Sequence, residues 1–321
     1  MRRLERRQFL KQSAALAGAL GAGRALGAGR ATGARRFTMD LRCSAIGVAV
    51  DLGEAVALAA RHGFESVTPD ARALASLSSQ EHDELMATLA AADLTWGSAP
   101  LPVEFRQSAE TFALHLAELP RLASGLERAG VSRTGTYLFP GHDELTYLEN
   151  LKQHAERLGA CARVLADHGI RLGLEYVGPK TLWSSTRFPF VHTMRETREL
   201  VAEIGEDNVG LVLDSWHWYT AGETEADLLS LGNDDIVACD LNDAPAGVPV
   251  DEQIDFRREL PMATRVIDVR TFLGALVEIG YDGPVRAEPF NQAVNDLPDD
   301  QAVERTAAAM REAFALIDGS A

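Results

Sequence analysis

The chain has 321 residues, enough for one large domain or two modest ones, and its 46% hydrophobic and 24% charged content is that of an ordinary globular protein. Its formal charge of -16 is split unevenly: residues 1–36 hold nine Lys/Arg and one acid, a net of +8, which leaves -24 for residues 37–321. An acidic body repels nucleic acid and anionic membrane, which argues against a phosphate-backbone binder, and no run of about eighteen apolar residues offers a membrane-spanning helix.

The chain opens on "MRRLERRQFLKQSAALAGALGAGRALGAG". Arg6-Arg7-Gln8-Phe9-Leu10-Lys11 and the weakly apolar stretch after it resemble a twin-arginine export signal, although Glu5 stands where Ser or Thr is usual. Such a segment is an address and takes no part in the fold. Residues 1–36 are therefore expected as a leader, disordered or removed, and 37–321 as the catalytic domain. Export places the protein in the periplasm or outside the cell; translation from Met39 would make it cytoplasmic. Cys43, Cys161 and Cys239 show no C-x-x-C spacing and sit in apolar contexts, so they read as core thiols.

From about residue 40, short apolar runs alternate with helix-like segments. The expected strands are 43–50, 64–69, 94–99, 133–139, 170–177, 208–214, 235–242 and 284–290. "LGEAVALAARHG" and "LENLKQHAERLGACARVLADHG" are the clearest helical stretches, and Gly63, Gly169 and Gly280 mark helix ends before strands. Eight strands each followed by a helix predict a single (β/α)8 TIM barrel of the α/β class. The rival is an open doubly wound sheet, weakened because no Gly-rich dinucleotide fingerprint follows an early strand. The 243–268 connection is long enough to cover a site.

Three late strands end on an acid: "GLEYVGP" on Glu175, "LVLDSW" on Asp214 and "VRAEPF" on Glu288. "IVACDLNDAP" adds Asp240 at the matching depth and Asp243 beyond it. In a barrel these ends converge on one mouth, where carboxylates repel unless one is protonated or a cation lies between them. Singly, each acid has the plainer role of helix cap or partner of an arginine. Jointly they point to a divalent metal, which would also be the partner that buried Asp214 requires.

At these residues, "GLEYVGPKT", "NVGLVLDSWHWY", "LNDAPAG", "RELP…ID" and "AEPF", the sequence resembles the xylose isomerase-like barrel superfamily, in its sugar phosphate isomerase/epimerase group. The resemblance implies one divalent cation held by Glu175, Asp214, the residue at 240 and Glu288. Position 240 is His in the usual pattern and Asp here. An all-oxygen set favours Mn²⁺ or Mg²⁺, with Co²⁺ an option, and disfavours zinc. The other outcome of that change is a lost ligand and a decayed site. By the same resemblance His217 and Arg258 contact substrate oxygens; alternatively His217 is a loop histidine among Trp216, Trp218 and Tyr219. His142 and His192 are placed at the edge of the site, Arg257 and Lys180 are read as equally suited to solvent, and Trp96, Phe105 and Trp183 as either a sugar-stacking wall or core.

The reaction implied is proton removal beside a carbonyl, through an enediolate, with Glu175 and Glu288 as the catalytic acid and base. It makes the chain a sugar isomerase or epimerase acting on a non-phosphorylated sugar or keto-sugar, since no phosphate cradle is visible. Loss of a β-substituent instead gives a lyase or dehydratase of the inosose or 3-keto-glycoside type. A DNA-repair endonuclease on the same barrel would need more histidines and a basic surface. The expected partner is a small carbohydrate, with no nucleic acid, no membrane after export, and homo-oligomers common among relatives.

Overall fold

Each apolar run is followed by a helical segment that carries the chain back, so successive strands lie parallel. The computed structural model describes residues 34–318; apart from residues 34–36, the expected leader lies outside them. The strands are β1 (Thr38–Leu41), β2 (Ser66–Val67), β3 (Thr95–Trp96), β4 (Ala99–Pro100), β5 (Arg133–Tyr137), β6 (Gly141–His142), β7 (Arg171–Glu175), β8 (Phe188–Pro189), β9 (Val209–Asp214), β10 (Ile236–Asp240) and β11 (Pro284–Arg286). Nine of them form one sheet in the order β3-β2-β1-β11-β10-β9-β7-β5-β4, and β6 pairs with β8 apart from it. β3 and β4 are two halves of one run, interrupted at Gly97 and Ser98. One half pairs with β2 and the other with β5, so the ring closes through this single split strand. The eight strand positions are those of a TIM barrel.

The first strand departs from expectation. It is Thr38–Leu41, whereas the apolar run expected as strand, 43–50, opens as a short 3-10 helix over Cys43–Ile46. The cause is Asp40, a charged residue in mid-strand that turns into the ring and accepts from Thr68 Oγ1 at 2.8 Å. A Cβ at Gly97 would fall 2.2 Å from the Asp40 carboxylate, so glycine at the break in the split strand is what leaves room for that acid.

Elsewhere local chemistry sets the element ends. Asp51 caps Leu52–His62 by accepting from Glu54 N, and Gly63 ends that helix at φ 73°. Thr146 and Glu149 form a capping box on Tyr147–Ala166. Every residue of β9 and β10 is buried, as expected for parallel strands covered on both faces. The three cysteines are free, with Cys161 and Cys239 fully buried. No described helix is long and apolar enough to cross a membrane.

Candidate functional site

Strand register builds the site. Asp40 pairs with Arg286, Arg286 with Asp240, and Asp240 with Asp214, a cross-strand row on four neighbouring strands. Glu175 ends β7, and Glu288 follows β11 by two residues. Above them opens a cavity of about 400 Å³, with Glu175, His217, Arg258 and Glu288 at its polar end and Tyr137, Phe139, Phe256 and Phe290 among its walls.

Asp214 has hydrogen-bond partners without a metal. One oxygen caps the Ser215–Thr220 helix through Trp216 N at 2.7 Å, the other accepts from Arg258 Nη1 at 2.7 Å, and Asn242 Nδ2 reaches both. The cap, the arginine and a candidate ligand are therefore one residue. Burial pushes its carboxyl up to about 7 although Arg258 opposes the shift. Asp240 is held by Arg286, Nε to Oδ1 at 2.6 Å and Nη2 to Oδ2 at 3.2 Å. Glu288 receives Arg42 Nη1 at 2.6 Å and Arg258 Nη1 at 3.4 Å, while Asn242 Oδ1 accepts its backbone N–H. Of the four candidate ligands only Glu175 keeps a buried oxygen, Oε1, with no hydrogen-bond partner; Asp40 Oδ1, in the neighbouring row, is in the same condition. Burial, then repulsion from Glu288, Asp240 and Asp214, holds the Glu175 carboxyl well above the usual range.

A divalent ion fits these residues. Ligand atoms of Glu175, Asp214 and His217 lie within 4.8 Å of one another, as do those of Glu175, Asp240 and Glu288. Glu175 belongs to both groups and owns the orphaned oxygen. Six buried acids (Asp40, Glu175, Asp214, Asp240, Asp255 and Glu288) face the guanidiniums of Arg42, Arg258 and Arg286, so ionisation of all of them leaves three negative charges over. The arginines engage Asp240 and Glu288 without exhausting them, since a carboxylate offers about four lone pairs. Asp214 already accepts four contacts, so an ion would have to replace one of the Asn242 contacts at 3.1 and 3.2 Å.

His217 is fully buried at the site, and burial together with Arg258 holds it well below its usual value, hence neutral. Gly178 N–H points at Nδ1 (3.2 Å) and Arg258 Nη2 at Nε2 (3.1 Å). A neutral ring carries a hydrogen on one nitrogen, so one of these contacts sets donor against donor whichever tautomer forms. An oxygen bound between His217 and Arg258 relieves it. Arg258, with Nε on Asp255 O and Nη2 on Asp255 Oδ1 at 2.7 Å, is buried while Arg257 is exposed, which separates the two arginines of "RREL".

Other candidates lie elsewhere. His142 Nδ1 accepts the backbone N–H groups of Glu144 and Leu145, and His192 stacks on Trp183 at 4.8 Å; neither lines the cavity. Phe105 is core, Trp96 lines no part of the cavity, and exposed Lys180 pairs with Asp251 at 2.6 Å. Asp243 is structural: its two oxygens accept five backbone N–H groups, from Ala244, Thr264, Arg265, Val266 and Ile267. It thereby folds the 243–268 connection that delivers Asp255, Phe256 and Arg258. Met262 (φ 68°) and Arg265 (φ 60°) stand in the left-handed region within this loop, where glycine would be free of strain. Asp243→Ala strands those five donors, and the midpoint of urea unfolding should fall by the equivalent of more than about 3 kcal/mol.

Sequence reasoning missed Arg42, Arg286, Asp255 and Asn242. Two had a local signal: Arg42 ends a strand at the mouth, and Arg286 stands two residues before Glu288 in an otherwise apolar run. It also missed Tyr176, whose hydroxyl bonds to Glu223 behind the site, with Glu223 in turn accepting from Met194 N at 2.7 Å.

Against known proteins, the family model described as "Xylose isomerase-like TIM barrel" matches residues 56–313. An inosose isomerase of Bacillus subtilis (strain 168) is 29% identical over 156 residues, 48% of this chain and 52% of the relative. A 3-dehydroshikimate dehydratase of Pseudomonas aeruginosa is 28% identical over 151 residues, 47% of this chain and 21% of that one. The match thus spans about half the length of the inosose isomerase. The solved structure of a xylose isomerase domain protein from Alicyclobacillus acidocaldarius subsp. acidocaldarius superposes with a TM-score of 0.77 at 29% identity, covering 89% of this chain and 100% of the other.

Proposed function

Because the chain belongs to the xylose isomerase-like TIM barrel family and brings Glu175 within ligand reach of Asp214 and His217 and of Asp240 and Glu288, we propose that it is a divalent-metal-dependent isomerase or epimerase of a non-phosphorylated sugar or keto-sugar. The observation that carries this reading is Glu175, which belongs to both groups of ligand residues and has a buried oxygen without a partner. Glu175, Asp214, Asp240 and Glu288 would hold the ion, Mn²⁺ or Mg²⁺ by their oxygen donors. Bound there, it would polarise a substrate carbonyl and acidify the neighbouring C–H.

The protein's own groups do the rest. His217 and Arg258 orient a substrate oxygen at their shared donor–donor contact. Glu175 and Glu288 remove and return the proton, one ionised while the other holds its hydrogen, a division that the upward shift of Glu175 supports. Asp255 fixes the Arg258 fork, and the aromatic walls exclude water from the reacting carbon. Arg106, Arg258 and Arg286 already have acceptors, which leaves no cluster of free cations for a phosphate at the cavity among the described residues. A substrate with a leaving group β to the acidified carbon would be eliminated by the same groups. The dehydratase among the relatives supports that second reading. We also propose export by the leader, on its twin-arginine pattern.

Purified protein incubated with ketoses and inososes in D₂O with Mn²⁺ should incorporate deuterium beside the carbonyl and lose that activity with EDTA. Mn²⁺ at about a hundred times its Kd should also add about 2.7 kcal/mol to stability in a thermal melt. A melt indifferent to Mn²⁺, together with EDTA-resistant exchange, would remove the metal from this reading.

A further inference from the structure

Among the described residues, four arginines line the cavity: Arg42, Arg106, Arg258 and Arg286. A guanidinium donates from three nitrogens and accepts at none, so inside a protein each nitrogen needs an acceptor. Three of the four are supplied. Arg258 is bonded through Nε to Asp255 O, through Nη1 to Asp214 and through Nη2 to Asp255 Oδ1. Arg286 uses Nε and Nη2 on Asp240 and Nη1 on Ser98 O. Arg106 uses Nη1 on Tyr137 O, with Nε and Nη2 against Glu104.

Arg42 is the exception. Its Nη1 donates to Glu288 Oε1 at 2.6 Å, its Nε is buried without a partner, and its Nη2 makes no hydrogen bond within the described residues. Nε and Nη2 form the edge of the guanidinium that receives a carboxylate through two parallel bonds. Glu288 occupies Nη1 alone, so pairing with that acid leaves the Nε–Nη2 edge unused. A sugar hydroxyl brings one acceptor oxygen to an edge that presents two parallel donors, so it satisfies that edge less well than a two-oxygen group does. A planar carboxylate answers both unmet groups.

We propose that the Nε–Nη2 edge of Arg42 binds a carboxylate of the substrate, which makes the substrate class a keto-sugar acid. The proposal rests on the proton-transfer reading of the same cavity and narrows it. Since Nη1 of the same guanidinium lies on Glu288, the carboxylate is held one guanidinium width from the acid–base oxygen, close along the carbon chain to the carbon that loses its proton. Arg42 is thus a specificity-determining residue contributed by the end of β1.

The test is isothermal titration of the Mn²⁺-loaded full chain with 5-keto-D-gluconate and with L-sorbose, an uncharged ketohexose. The keto acid should bind about 10- to 100-fold more tightly, the range expected of a paired charge-assisted contact. Arg42→Gln should abolish that preference and Arg42→Lys retain part of it, with Mn²⁺ stoichiometry and circular dichroism unchanged in both. Equal affinities, including no detectable binding of the keto acid at tens of millimolar, overturn the proposal, as does a preference that survives in Arg42→Gln. Deuterium exchange separates this from the broader reading: exchange into neutral ketoses alone refutes the carboxylate and leaves the proton transfer standing. Tight binding of the keto acid without exchange into any sugar does the reverse.

Discussion

Glu288→Gln should slow deuterium exchange beside the substrate carbonyl by about 10²- to 10⁴-fold, the usual worth of a positioned acid or base. The substitution is nearly isosteric, and the amide oxygen still accepts from Arg42, so the backbone N–H bond to Asn242 and the loop around it have no reason to move. What is lost is a group able to take a proton and a negative charge among Arg42, Arg258 and any bound cation. Glu175→Gln should cost as much in exchange and have a different effect on stability. Burial and three neighbouring acids disfavour the ionised form of Glu175, so a neutral amide there removes a repulsion. Its melting temperature should hold or rise in the absence of metal. Exchange within about threefold of the parent in Glu288→Gln, with folded protein, would refute its role as acid or base.

Arg286→Met should have the largest effect on stability. Arg286 and Asp240 are both buried, and their bidentate pair is a contact between register partners on β10 and β11. Removing one member of a buried pair leaves an uncompensated charge, at a cost of about 3–5 kcal/mol. Here the stranded Asp240 would also face Glu175 and Asp214. Thermal unfolding should move down by roughly 5–15 °C. Asp240→Leu added to Arg286→Met should recover most of the loss, because two apolar side chains need no partner. Mn²⁺ should stabilise the single variant more than the parent, the ion taking over part of the missing charge. A single variant within about 1 kcal/mol of the parent would show that Asp240 carries no charge when Arg286 is absent.

The parts of this site that were legible in the sequence are those with a local signature. Glu175, Asp214 and Asp240 end apolar strands, and the βα alternation alone brings such ends to one mouth. His217 was visible because it follows Asp214 by one helical turn. The pairings of the guanidiniums were not legible. Arg42 meets Glu288 across 246 residues of chain and Arg286 meets Asp240 across 46, and neither pairing has a sequence period to betray it. The misplaced first strand has the same origin. "FTMDLR" reads as broken by its charges, yet Asp40 is held by Thr68 and Arg42 by Glu288, both distant in the chain, whereas "CSAIGVAV" is apolar because Ile46 and Val48 join the core. Asp243 is the converse case. Its position beside Asp240 suggested chemistry, and only the fold of the 243–268 loop shows that its oxygens are occupied by backbone.

The split between β3 and β4 leaves the ring joined there by two register pairs on each side. Arg286 Nη1 reaches across to Ser98 O, in the gap itself, at 3.2 Å. The residue that neutralises a candidate ligand therefore also latches the barrel's seam. Breathing of that seam and occupancy at the mouth become linked equilibria: amide protons of residues 95–99 should exchange more slowly once a cation has settled against Asp240.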